Sequence, residues 1–164
     1  MGAASRRKKL DPNYGQVISL PTQSMKYKHS KKIFSELMEQ FHGELNALFV
    51  AETVPENYQT ATEQIKLWLK EQLLTYREPD RAELAKLIFF ALVVVQEDVS
   101  FSLLAVSCIF KAVKDYLTPD EIQIFLGSLD EAASQERQFY RTDPCAKFAY
   151  EEISQEAKLS HAVD

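Results

Sequence analysis

The run Leu84-Ala-Lys-Leu-Ile-Phe-Phe-Ala-Leu-Val-Val-Val95 holds a single polar side chain, Lys86, in twelve residues. Val93-Val-Val95 alone would suit a buried strand. The length of the whole segment and Pro79 in its first turn instead predict a helix from about Pro79 to Gln96. A helix that is apolar nearly all round belongs inside a bundle. The next segment, about Ser100 to Tyr116, reads the same way through Phe101, Leu104, Ala105, Cys108, Ile109, Ala112 and Val113. Gln96, Glu97 and Asp98 interrupt the two, and each falls short of the roughly 20 apolar residues a bilayer crossing needs. A buried helical hairpin is therefore expected. Either the rest of the chain encloses it, or one face serves a homodimer or partner interface. Enclosure is the expectation.

Ahead of this hairpin, Ile33, Phe34, Leu37, Met38, Phe41, Leu45, Leu48 and Phe49 recur at three- and four-residue steps. This predicts a helix from an N-cap at Ser30 to before Pro55, with Gly43 marking a close helix contact. Thr60 and Glu63 have capping-box spacing and predict a second helix from about Thr60 to Arg77. The clearest local signal is Thr118-Pro-Asp-Glu121, which combines an N-cap, a proline at the first helical position and a capping-box glutamate. The helix it starts either breaks at Gly127 or runs on toward Tyr140. A last helix begins at Asp143-Pro144, with a frayed tail at 159–164. The fold expected is all-α, a compact bundle of six or seven helices over 30–158, preceded by a largely unstructured basic arm at 1–29. Within that arm Gly15-Gln-Val-Ile-Ser-Leu20 is read as extended chain.

The 164 residues carry a net charge of −5, unevenly placed. Residues 1–32 hold eight basic residues against Asp11, a balance of +7, and residues 33–164 hold eleven against twenty-three acids, a balance of −12. Two clusters make the positive end: Arg6, Arg7, Lys8 and Lys9, then Lys26, Lys28, Lys31 and Lys32, with Tyr14 and Tyr27 beside or between them. Such a segment suits an anionic polymer, a nucleic acid or an acidic membrane surface. No apolar run follows Arg6–Lys9, so a secretory signal is not expected, and two cysteines imply no disulfide framework. An intracellular setting, cytoplasmic or nuclear, is the expectation.

Catalytic constellations are not found. Glu39-x-x-His42 is half of a helical-bundle di-metal motif, but neither His29 nor His161 supplies the second half, so no metal is expected. Cys145 lies near a helix start, where the macrodipole can lower a thiol pKa, yet no histidine accompanies it in sequence. Cys108 reads as core. The four glycines are too scattered for a phosphate loop, and no cofactor is expected. Met1-Gly2 raises acylation at Gly2, although Ser5 stands one place out of register with the usual pattern. A Met-Gly start, a basic block and a small helical domain together resemble viral matrix proteins in outline. That likeness covers the first nine residues and the fold class, and no motif of the family matches residue by residue. It implies a membrane-peripheral role. The reading preferred from the residues is a non-enzymatic adaptor or structural protein. Its acidic body binds protein partners and its basic arm docks on an anionic surface. The rival is a nucleic-acid-binding cofactor.

Overall fold

The computed structural model describes residues 23–98 and 103–163, and these are almost wholly helical. We number the helices α1 (Gln23–Gln40), α2 (His42–Phe49), α3 (Tyr58–Leu73), α4 (Glu78–Asp98), α5 (Leu103–Val113), α6 (Pro119–Gln135), α7 (Arg137–Thr142) and α8 (Pro144–Val163). A 3-10 turn, Lys114–Tyr116, follows α5. The all-α bundle expected from periodicity is the architecture found. Its middle is α5, of which every residue from Leu103 to Val113 is buried. Helices α2, α3, α4 and α8 all pack on it, while α1 lies against α4. Buried Leu84, Ile88, Phe89 and Leu92 of α4 join that core, but Phe90 on the same helix is 53% exposed. Of the two apolar segments it is therefore α5 that is fully enclosed, and α4 opens on one side.

Several boundaries differ from the sequence reading, each because a tertiary contact outweighs a local signal. The first helix starts at Gln23, not at a Ser30 cap. Ser30 is buried inside it, its hydroxyl donating to the Tyr27 carbonyl at 2.8 Å. The early turns are held by α4 and the turn before it. Lys26 Nζ lies 3.7 Å from Asp80, and His29 Nδ1 lies 2.9 Å from the Tyr76 hydroxyl with the rings edge to face. The residues 23–29 assigned to an arm are thus helical, whereas 1–22 fall outside the described residues, as do Gly2, Arg6, Arg7, Lys8, Lys9 and the stretch Gly15–Leu20.

Helix α3 begins at Tyr58, ahead of the expected Thr60 box, because the Tyr58 ring is buried against Phe148 (5.1 Å between centroids) and draws the chain inward. The single helix expected up to Pro55 is two, α1 and α2, divided at Phe41. Gly43 marks no close contact, since a Cβ there would meet nothing within 4 Å. The chain does not break at Gly127. Ser128 donates to the Ile124 carbonyl within the helix, and α6 continues to Gln135. The tail expected to fray stays helical to Val163. The Thr118 capping box is present as read: Glu121 N–H donates to the Thr118 hydroxyl (3.2 Å) and Thr118 N–H to the Glu121 carboxylate (2.8 Å). Asp143 caps α8 by accepting from Ala146 N–H at 2.7 Å.

Candidate functional site

Helix α1 places its basic residues by phase. Ser30, Ile33 and Leu37 face the core, so positions 28, 32, 35 and 39 fall on the opposite side, with 31 at its edge. Lys28, Lys31 and Lys32 are exposed accordingly, and Tyr27 beside them is 60% exposed. None of these three lysines has a carboxylate within ion-pair distance among the described residues. Lys26 differs: it turns inward and pairs with Asp80. Glu36 and Glu39 bound the basic cluster toward the C-terminal half of α1. The first turn of α1 contains no acid.

Four lysines of the body are placed otherwise, while Lys70, Lys147 and Lys158 are exposed singly. Lys66 pairs with Asp115 (3.6 Å), Lys86 with Glu121 (2.9 Å) and Glu83 (3.4 Å), Lys111 with Glu152, and Lys114 with Glu156. The Lys111 and Lys114 pairs belong to a polar seam between α3, α5 and α8. Ser107 donates to the Leu104 carbonyl at 2.8 Å, so the Tyr58 hydroxyl, 2.7 Å away, is the donor to Ser107. Thr62 donates to the Tyr58 carbonyl (2.7 Å) and lies 3.5 Å from Cys108 Sγ. The Lys111 ammonium also sits over the Tyr58 ring, 5.1 Å from its centroid, and Gln59 donates to Glu152 at 3.2 Å. Burial holds the Tyr58 phenol well above the ordinary tyrosine range. The seam went unread in the sequence. Its signal was Ser107 and Lys111 at i and i+4 of an otherwise apolar helix and Lys114 at i+7 just past its end, matched by Glu152 and Glu156 one turn apart on α8. Every polar atom buried there has a partner, which fits a structural seam rather than a reaction site.

Neither thiol is activated. Burial pushes Cys108 up to about 11. Cys145 is also raised, by burial first and then by the neighbouring Asp143, and its thiol donates to the Ala51 carbonyl at 3.5 Å. The lowering that a helix N-terminus can give a cysteine is thus reversed at Cys145. Glu39 and His42 lie on two helices divided at Phe41, and both are exposed. Among the described residues no group of three His, Cys, Asp or Glu could hold a metal ion, and no helix is long and apolar enough to cross a membrane.

A second feature is an open apolar groove of about 660 Å³ between α4, α5, α6 and α7, whose lining includes Phe90, Val106, Ile124, Phe125, Leu129 and Tyr140. Searches of protein-family models, curated proteins and solved structures give no match to the chain.

Proposed function

We propose that the chain is a non-enzymatic helical adaptor acting inside the cell. Its basic amino-terminal segment docks on an anionic surface while the acidic body engages a protein partner. The observation that carries this reading is the clustering of untied lysines. Lys66, Lys86, Lys111 and Lys114 are each tied to a carboxylate, and the exposed Lys70, Lys147 and Lys158 stand singly on α3 and α8, whereas Lys28, Lys31 and Lys32 gather on the exposed side of α1 with no such tie. Basic residues near an acidic bilayer contribute about 1 kcal/mol each, so these three supply roughly a hundredfold in affinity. Arg6, Arg7, Lys8 and Lys9 would add to the same attraction through the chain that precedes α1.

The test is sedimentation of the full chain with vesicles containing phosphatidylserine, at about 50 and 200 mM salt. The wild-type chain is expected to bind and to weaken at the higher salt. The triple variant Lys28→Gln, Lys31→Gln, Lys32→Gln is expected to lose most of that binding. A wild-type chain that stays in solution at low salt, or a triple variant that binds as well as the parent, would remove the basis of the proposal.

A second reading, a nucleic-acid-binding cofactor, is favoured by one observation. Tyr27 is exposed one residue before Lys28 and one helical turn before Lys31, an arrangement in which a ring stacks on a base while lysines meet phosphates. Tyr27→Ala separates the two. Stacking is worth about 1–3 kcal/mol per base, so the variant should lose roughly tenfold or more on a single-stranded RNA oligonucleotide and bind acidic vesicles unchanged.

A further inference from the structure

We infer that the groove between α4 and α6 is the docking site for a cationic amphipathic helix of a partner protein. This rests on the reading of the body as a partner-binding unit and says where and what it binds. The floor of the groove is fixed before any ligand arrives. Phe125 stacks on Phe110 (5.2 Å between centroids) and meets Phe89 edge to face (4.8 Å), so its position is set by core residues. One end of the groove is pinned by the Lys86–Glu121 pair joining α4 to α6, and by the capping box in which Glu121 also takes part. Two large apolar side chains flank it in solvent, Phe90 at 53% and Ile124 at 71% exposure. An apolar trough with rigid walls and exposed flanking anchors is the form in which grooves accept the apolar stripe of a helix. From Glu121 to Ala132 the α6 wall runs for about 16 Å, the length of about three helical turns, enough for anchors at i, i+3 or i+4, and i+7.

Charge decides among the occupants. Residues 115–136, which include all of α6, contain six carboxylates and no Lys, Arg or His. Asp120 lies one turn before Ile124 and Glu131 one turn beyond Ser128, so carboxylates border the exposed edge of the groove. The cation at the pinned end, Lys86, is already held between Glu83 and Glu121, and Arg137 and Arg141 stand beside Tyr140 on α7 at the far end. A second copy presenting the same face would set acidic wall against acidic wall. The chain's own amino-terminal stretch has cations at Arg6–Lys9 and aliphatic side chains at Val17, Ile18 and Leu20, but Pro12 and Gly15 separate them. That sequence does not have the pattern of one amphipathic helix bearing both. A partner helix with a leucine-type stripe flanked by Lys or Arg satisfies apolar floor and acidic rim together.

The test uses the full chain and two fluorescein-labelled helical peptides of about 14 residues, with leucines at i, i+3, i+4 and i+7. One peptide carries lysine at its remaining positions and the other glutamate. Fluorescence polarisation should show the lysine peptide binding at least about tenfold more tightly than the glutamate peptide. Ile124→Glu, at a site too exposed to disturb folding, should weaken the lysine peptide by a similar factor. Asp120→Asn with Glu131→Gln should weaken it further and flatten its salt dependence. Equal binding of both peptides, or indifference to Ile124→Glu, overturns the inference. Neutralising Arg6, Arg7, Lys8 and Lys9 to Gln with a tenfold gain in peptide affinity would show the chain's own segment in the groove. A doubled mass in sedimentation that Ile124→Glu abolishes would show a second copy there. Either result also overturns it. Ile124→Glu should leave vesicle binding intact, so a failure at the groove is distinguishable from a failure of the α1 reading.

Discussion

Replacing Lys111 by Met keeps the length and most of the volume of the side chain while deleting its charge. Lys111 is 9% exposed, and its partner Glu152 has a side chain 16% exposed. The change leaves that carboxylate with Gln59 as its remaining side-chain donor and removes the ammonium from the face of Tyr58. Breaking a fully buried pair by removing one partner costs about 3–5 kcal/mol. Both ends here keep some solvent and Glu152 keeps a donor, so we expect about 2 kcal/mol, including about 0.5 kcal/mol for the cation–π contact. For a chain of this length that corresponds to a fall in Tm of about 4–8 °C. Deleting both charges in Lys111→Met with Glu152→Leu removes the stranded carboxylate, and stability should return to within about 1 kcal/mol of wild type. Urea denaturation followed by circular dichroism supplies both numbers, provided the slope with denaturant is unchanged. A single variant within about 0.5 kcal/mol of wild type, or a double variant carrying a larger loss than the single one, would refute the account of the seam.

Both thiols should resist alkylation at pH 8 in the folded chain and react once urea unfolds it, because each is buried and raised in pKa; fast labelling of Cys145 in the native state would contradict this. Gly127→Ala is expected to stabilise α6 by about 1 kcal/mol, since a Cβ there meets open space; calorimetry showing a lower Tm would count against the helix at that point. The Glu121–Lys86 link sets a pH window. Burial would raise Glu121, but the Thr118 backbone N–H, Lys86 and the Thr118 side chain together hold it below the ordinary value. Its contribution is therefore complete above the ordinary carboxylate range and is lost as pH falls through the lowered folded value. Lys86 is raised, chiefly by its hydrogen bond to Glu121, so its contribution is complete below the ordinary lysine range and is lost as pH rises through the raised value. The stability difference between wild type and Glu121→Gln should be flat near neutrality and shrink below about pH 4; a difference unchanged at that pH would rule out the link.

Patterns that act over a few residues were legible in the sequence. Thr118-Pro-Asp-Glu121 forms the capping box its spacing demands, and the stripe Ile33, Leu37, Phe41, Leu45, Leu48 is buried throughout. What escaped depends on partners far along the chain. Thr22 just before Gln23 is an N-cap residue type, but no apolar stripe follows until Ile33; the early turns gain their contacts from Tyr76 and Asp80. Tyr58 opens α3 because its ring and hydroxyl are claimed by Phe148 and Ser107. At the candidate site the sequence supplied charge but not phase. It grouped Lys26 with Lys28, Lys31 and Lys32, and the fold divides them, turning Lys26 toward Asp80 and the other three outward. The groove was invisible for the same reason: Phe90 reads as core in an apolar run, and only the fold shows it half-exposed in the lining of the groove.

Lysine footprinting by amine acylation and mass spectrometry, on the full chain with and without acidic vesicles, bears most directly on the division between outward and committed lysines. Lys28, Lys31 and Lys32 should label quickly in the free protein and become protected on vesicles, while Lys86, Lys111 and Lys114 label slowly in both conditions. Rapid labelling of Lys111 in the free chain, or unchanged labelling at all three α1 lysines in the presence of vesicles that bind the protein, would contradict it.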